Sequence, residues 1–162
     1  MKVAFIGHRH FKKNLHSNIV VTNVVELVEK LIRERGANEF IIGSMTGFDY
    51  MGYLAVTNLK NEMYPQIKRI YLSQYVKFPY KSRRIMNEFF EKCEFPLKSL
   101  LDNYHQDRKR NELIVDACDI LIIYYGNGFE EVHVKDAYNY AMAKGKKIIN
   151  LFDENDAKNI VF

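Results

Sequence analysis

Three glycine-led stretches hold the residues whose types and spacing suit chemistry. Gly7-His8-Arg9 follows the apolar run Lys2–Ile6. Gly43-Ser44-Met45-Thr46-Gly47 follows Ile41-Ile42 and leads to Asp49. Gly126-Asn127-Gly128 follows the run Asp119–Tyr125 and leads to Glu130 and Glu131. Glycine lets backbone turn with positive φ and approach a ligand closely. A helix that follows such a loop presents unpaired N–H groups and a positive dipole end, which suits phosphate. Turn geometry alone is the other reading of each glycine. The spacing is not Gly-x-Gly-x-x-Gly, and no Lys-Ser/Thr pair of a P-loop follows, so neither a standard dinucleotide site nor an ATPase is indicated.

Other side chains refine the picture. Arg9 follows the first apolar run and offers a planar fork for phosphate, or else a solvated surface charge. His8 and His10 alternate along one side of an extended segment, yet no nearby Cys or carboxylate completes a metal site, so no metal is expected. Arg110-Asn111 opens an amphipathic run. Arg108, Lys109 and Arg110, with Arg83 and Arg84, read as a solvated basic face or as a nucleic-acid surface. Glu130 and Glu131 precede a helical pattern, where carboxylates favour the dipole. With Asp136 they are the weak candidates for a catalytic acid. Cys118 adjoins an apolar strand and reads as an inert buried thiol.

The elements that must position these residues follow from periodicity. Lys2–Gly7, Glu39–Ser44, Ile67–Leu72, Asp119–Gly126 and Lys146–Phe152 read as strands. Val20, Val24, Leu27, Val28 and Leu31 share a helical face that closes at Gly36. Asp49–Asn61 reads as a helix with Asp49 as its N-cap. Lys81–Phe95 and Arg110–Cys118 read as helices, separated by a mixed polar region. Val134, Ala137, Tyr138 and Ala141 mark a last helix ending at Gly145. Strands alternating with helices predict a single Rossmann-like three-layer α/β domain over residues 1–162, with a mostly parallel sheet flanked by helices. Ligands of such sheets bind at the carboxyl ends of strands near a topological switch point, where all three glycine loops fall.

Composition bounds the function. The chain has 162 residues and a formal net charge of +4, with 11 Tyr, 11 Phe and two cysteines. The mild basic excess suits an anionic ligand and does not by itself argue for nucleic acid. Two cysteines without a CxxC point to no disulfide framework, and a cytoplasmic, reducing setting is expected. No run approaches the roughly 20 apolar residues of a membrane span. The aromatics leave homo-oligomerisation open, and Tyr50 and Tyr125 could stack on a base or pack in the core.

The joint pattern of "FIGHRHF", "FIIGSMTGFDYMGYLAV" and "RNELIVDACDILIIYYGNG…YAMAKGKKIINL" resembles the YpsA-like branch of the SLOG superfamily. That superfamily includes lonely-guy phosphoribohydrolases and DNA-processing protein A. The resemblance implies a Rossmann-like fold that binds nucleotides or nucleotide-derived small molecules; no cofactor is expected. It implies that Gly7, Arg9, Gly43, Ser44, Gly47, Asp49, Arg110 and Asn111 face the ligand. His8, Met45 and Thr46 go with their loops, and Gly126 belongs to the third. The lonely-guy loop, Pro-Gly-Gly-x-Gly-Thr-x-x-Glu, is missing: this loop reads "GNGFEEVHVKDAYNYA", with Asn139 where the acid is sought. Binding of a nucleotide-like ligand is therefore the leading expectation. A nucleotide N-glycosidase and a single-stranded nucleic-acid binder are the alternatives.

Overall fold

In the computed structural model the described residues are 1–9, 15–72, 80–94, 103–126 and 131–152. In chain order the elements are β1 (Lys2–Gly7), α1 (Leu15–Arg35), β2 (Glu39–Ile42), α2 (Gly47–Glu62), β3 (Lys68–Leu72), α3 (Tyr80–Phe89), β4 (Lys92–Glu94), α4 (Asn103–Ala117), β5 (Ile120–Tyr124), α5 (Val132–Ala143) and β6 (Lys147–Asn150). The six strands form one sheet in the order β4-β3-β2-β1-β5-β6. Each pairing is parallel. Strand β1 is central, and Phe5 lies opposite Ile42 of β2 and Ile122 of β5.

A parallel sheet covered on both faces needs strands that are apolar on both faces. In β1, Val3 and Phe5 join the core beneath α1 and α2, while Ala4 and Ile6 join the core beneath α4 and α5. The first core is aromatic, with Phe5, Phe40 and Phe48 fully buried. The second is built from Ile, Leu, Val and Ala with Cys118. Burying each large apolar side chain is worth about 1.5–3 kcal/mol relative to leaving it exposed.

Helix ends follow the expected glycine logic. Gly36 has φ 66°, and the N–H groups of Gly36 and Ala37 close onto the carbonyls of Ile32 and Leu31. Gly145 has φ 64°, and Gly145 and Lys146 donate to the carbonyls of Met142 and Ala141, the paired bonds of a Schellman cap.

Two expectations need correction. The helix expected over Lys81–Phe95 ends at Phe89, and Lys92–Glu94 form β4 instead; Phe95 lies outside the described residues. Glu91 turns the chain there: its N–H donates to the Arg69 carbonyl, and its carboxylate accepts from the Arg69 backbone and guanidinium at 2.6–3.2 Å. The helix expected to start at Arg110 begins at Asn103, so Arg110 and Asn111 sit in its middle. Residues 95–102 of the mixed region lie outside the described residues.

Candidate functional site

The sheet order puts the ends of β2, β1 and β5 side by side, so the three glycine loops leave neighbouring strands. Helices α2 and α4 approach that edge from opposite faces. Between them lies a small cleft of about 230 Å3, open mouth included. Gly7 and Arg9 line it from the end of β1, Ser44, Thr46 and Asp49 from the β2–α2 turn, and Arg110, Asn111 and His133 from the far side.

Asp49 is not an N-cap. Thr46 occupies the cap position with extended backbone and makes no side-chain cap bond; its hydroxyl shares a 2.7 Å hydrogen bond with that of Ser44. Asp49 stands in the first turn, 5 % exposed, and accepts the Gly7 N–H at 3.2 Å. Burial pushes its carboxyl up to about 7, against the pull of Arg110, the Gly7 and Asp49 amides and Arg9. One carboxyl thus ties the ends of β1 and α2 together.

The two arginines of the cleft are held by one carboxylate. Asp107 accepts from Arg9 Nη2 at 2.7 Å through Oδ2, and its Oδ1 lies 3.3 Å from Arg110 Nη1. The Arg110 side chain is 5 % exposed; it donates to the Gly43 carbonyl and, through Nε and Nη2, to Asn111 Oδ1. Asn111 in turn donates to the His133 carbonyl at 3.3 Å. Arg9 is the accessible member, with its side chain 38 % exposed. Its backbone N–H donates to Glu131 Oε1 at 2.8 Å, and Glu131 Oε2 lies 3.0 Å from His133 Nε2. Burial, with Arg9 and Arg110, lowers the pKa of His133 against the opposing pull of Glu131 and Asp107, so the ring favours its neutral form.

The glycines themselves are packing positions. A Cβ on Gly7 would stand 2.6 Å from Phe48 Cβ, and one on Gly43 would stand 2.5 Å from Ile114 Cδ1. At Gly47, where φ is 57°, it would strike the His8 carbonyl and Arg9 Cα. The Phe48 N–H donates to that same His8 carbonyl at 3.0 Å. Close approach is required at each: to α2 at Gly7, to α4 at Gly43 and to the end of β1 at Gly47. Gly126 likewise abuts the Phe152 ring.

Of the other sequence candidates, Met45 packs against the aromatic core. His8 is fully buried beside Tyr124 and Tyr125, and burial lowers its pKa. Tyr125 packs on Tyr138, and the exposed Tyr50 stacks on Tyr53. Asp136 lies on α5 and does not line the cleft. Glu130 and His10 lie outside the described residues, as do Asn127–Phe129 of the third loop. Burial raises the Cys118 thiol to about 11, which suits its inert reading. The expected basic face divides: Arg110 turns inward, Arg108 and Lys109 both pair with Glu112 at 3.1 Å, and the Arg83 side chain lies outside the described residues. Sequence reasoning missed Asp107 and His133. The signal for Asp107 was its i,i+3 spacing to Arg110 on a helix; no local signal marks His133.

Among the described residues, no three His, Cys, Asp or Glu side chains are grouped to hold a metal, and no helix is long and apolar enough to cross a membrane. No curated protein matches the chain. Among solved structures it is similar to DNA processing protein A from Streptococcus pneumoniae, with TM-score 0.62 and 18% identity, over 91% of this chain and 48% of that one. It is also similar to DNA processing protein A from Helicobacter pylori, described for its single-stranded DNA binding mode, with TM-score 0.61 and 19% identity, over 91% and 63%. The chain therefore spans less than two thirds of either protein, and likeness at these identities establishes the Rossmann-like fold alone. The YpsA model, that of the YspA SLOG family, matches residues 5–156. That match takes in every element from the end of β1 to β6, and the chain belongs to the YspA SLOG family.

Proposed function

We propose that this chain binds a nucleotide or nucleotide-derived small molecule in the cleft between α2 and α4. The observation that carries the reading is the position of Arg9, Ser44, Thr46 and Asp49 around a polar cleft at the carboxyl end of β1. That strand borders the point where the strand order reverses, between β1 and β5, which is where open α/β sheets take their ligands. In this reading Arg9 pairs with phosphate, the Ser44 and Thr46 hydroxyls support it, and Asp49 accepts a ribose hydroxyl. Titration calorimetry with nucleoside monophosphates, ADP-ribose and cyclic nucleotides tests it. The expected result is micromolar binding of at least one, weakened about tenfold or more in Arg9→Ala through loss of a charge-assisted bond. No heat from any of them at millimolar concentration overturns it.

The fold likeness to a protein described for single-stranded DNA binding favours a second reading, in which this chain binds single-stranded nucleic acid. The division of the basic residues weighs against a continuous charged stripe. Such binding would weaken steeply with salt, and retention of a labelled oligonucleotide that is absent or insensitive to salt removes this reading.

A further inference from the structure

Among the described residues the charges around the cleft nearly cancel, and this restricts the ligand. Arg9 and Arg110 are the cations that line it, and Asp107 bridges both. Glu131 faces the Arg9 amide and the His133 ring. Asp49 adds a third carboxyl from α2. The imidazoles of His8 and His133 are both held toward their neutral forms by burial. Among the described residues, then, two guanidiniums meet three carboxyl groups, with no cationic surplus. At the start of helix α2 the Phe48 N–H is taken by the His8 carbonyl and the Tyr50 N–H by the Thr46 carbonyl.

On the strength of the nucleotide-binding reading above, we propose that the cleft selects a small phosphodiester, with one negative charge on each phosphorus, over a phosphomonoester dianion. A diester brings a single charge that the half-exposed Arg9 can meet while Asp107 keeps Arg110. A monoester brings a second charge into a site whose described cations are already matched, and an uncompensated charge out of water is costly.

Two matched pairs test this by titration calorimetry on the full chain: 3′,5′-cyclic AMP against 5′-AMP, and 3′,5′-cyclic GMP against 5′-GMP. A deoxythymidine decamer forms a third arm. The diester of at least one pair should bind about tenfold or more tighter than its monoester at pH 8. The ratio should shrink at pH 6, because a phosphomonoester regains its second proton near pH 6 and Asp49 is then neutral. Asp107→Asn should shrink the ratio at pH 8 as well. Glu131→Gln does the same job if the first variant fails to fold by circular dichroism. If in neither pair the diester binds tighter than its monoester at pH 8, the charge selection is overturned and the nucleotide site stands. Binding of the decamer with all four nucleotides silent overturns the small-ligand assignment. Silence in every arm overturns both the selection and the site.

Discussion

Helices α2 and α4 reach the same cleft from opposite faces of the sheet, with different buried residues. On α2 the buried set is Phe48, Gly52, Tyr53, Ala55, Val56 and Leu59, with Asp49 its one buried charge. On α4 the first half buries Gln106, Asp107, Arg110 and Asn111, and only the second half buries Ile114 and Val115. A charge alone in an apolar face carries its desolvation as a shifted pKa, as Asp49 does. Charges buried together can compensate each other, as Asp107 does for Arg9 and Arg110. One helix therefore stores a proton, and the other stores an ion-pair network.

The sharpest way to break the contrast is Arg110→Ala. It leaves Asp107, the Gly43 carbonyl and Asn111 without their shared donor. Removing one member of a buried network should cost about 3–5 kcal/mol in urea unfolding. A loss under about 1 kcal/mol, the scale of an exposed pair, would mean that α4 buries no working network.

Asp49→Asn tests the other side and should act in the opposite direction. The Asp49 carboxyl keeps its proton up to about pH 7 when folded, against an ordinary value of 3.8. Between those values the folded chain binds more protons than the unfolded chain, so this group makes stability fall as pH rises, levelling off above about 7. The asparagine variant cannot ionise. It should match wild type near pH 4 and exceed it at pH 8 by up to about 4 kcal/mol. Equal unfolding midpoints at both pH values would show that burial of Asp49 carries no such penalty.

The smallest effect is expected on the outer side of α4. Arg108 lies there, its side chain half exposed, and shares Glu112 with Lys109. Arg108→Ala should move stability by no more than about 0.5 kcal/mol, as for other exposed helix pairs. A thermal melt suffices, and a loss rivalling that of Arg110→Ala would erase the distinction between the two sides of the helix.

Particular residues show how far the sequence could be read. The strands around Val3–Ile6 and Ile120–Ile123 were legible because strands buried on both faces are continuously apolar. Helix ends at Gly36 and Gly145 were legible because a left-handed cap position favours glycine. The start of α4 was not, because its buried face through residue 111 is polar and a hydrophobic stripe begins only at Ile114. Lys92–Glu94 gave no strand signal, since an edge strand of three residues needs no apolar alternation. The loops that meet at the cleft were legible as glycine-rich, but what each glycine makes room for was not.

Local spacing and residue type determined the alternating α/β order, the glycine loops at strand ends, and the candidates Arg9 and Asp49; the family resemblance added Arg110 and Asn111. Only the tertiary structure decided what those residues do to one another. Gly7 and Asp49 stand 42 positions apart, and Arg9 and Asp107 stand 98 apart. Charge compensation, burial and pKa depend on distance in space, and that distance is set by how two helices close over one sheet edge.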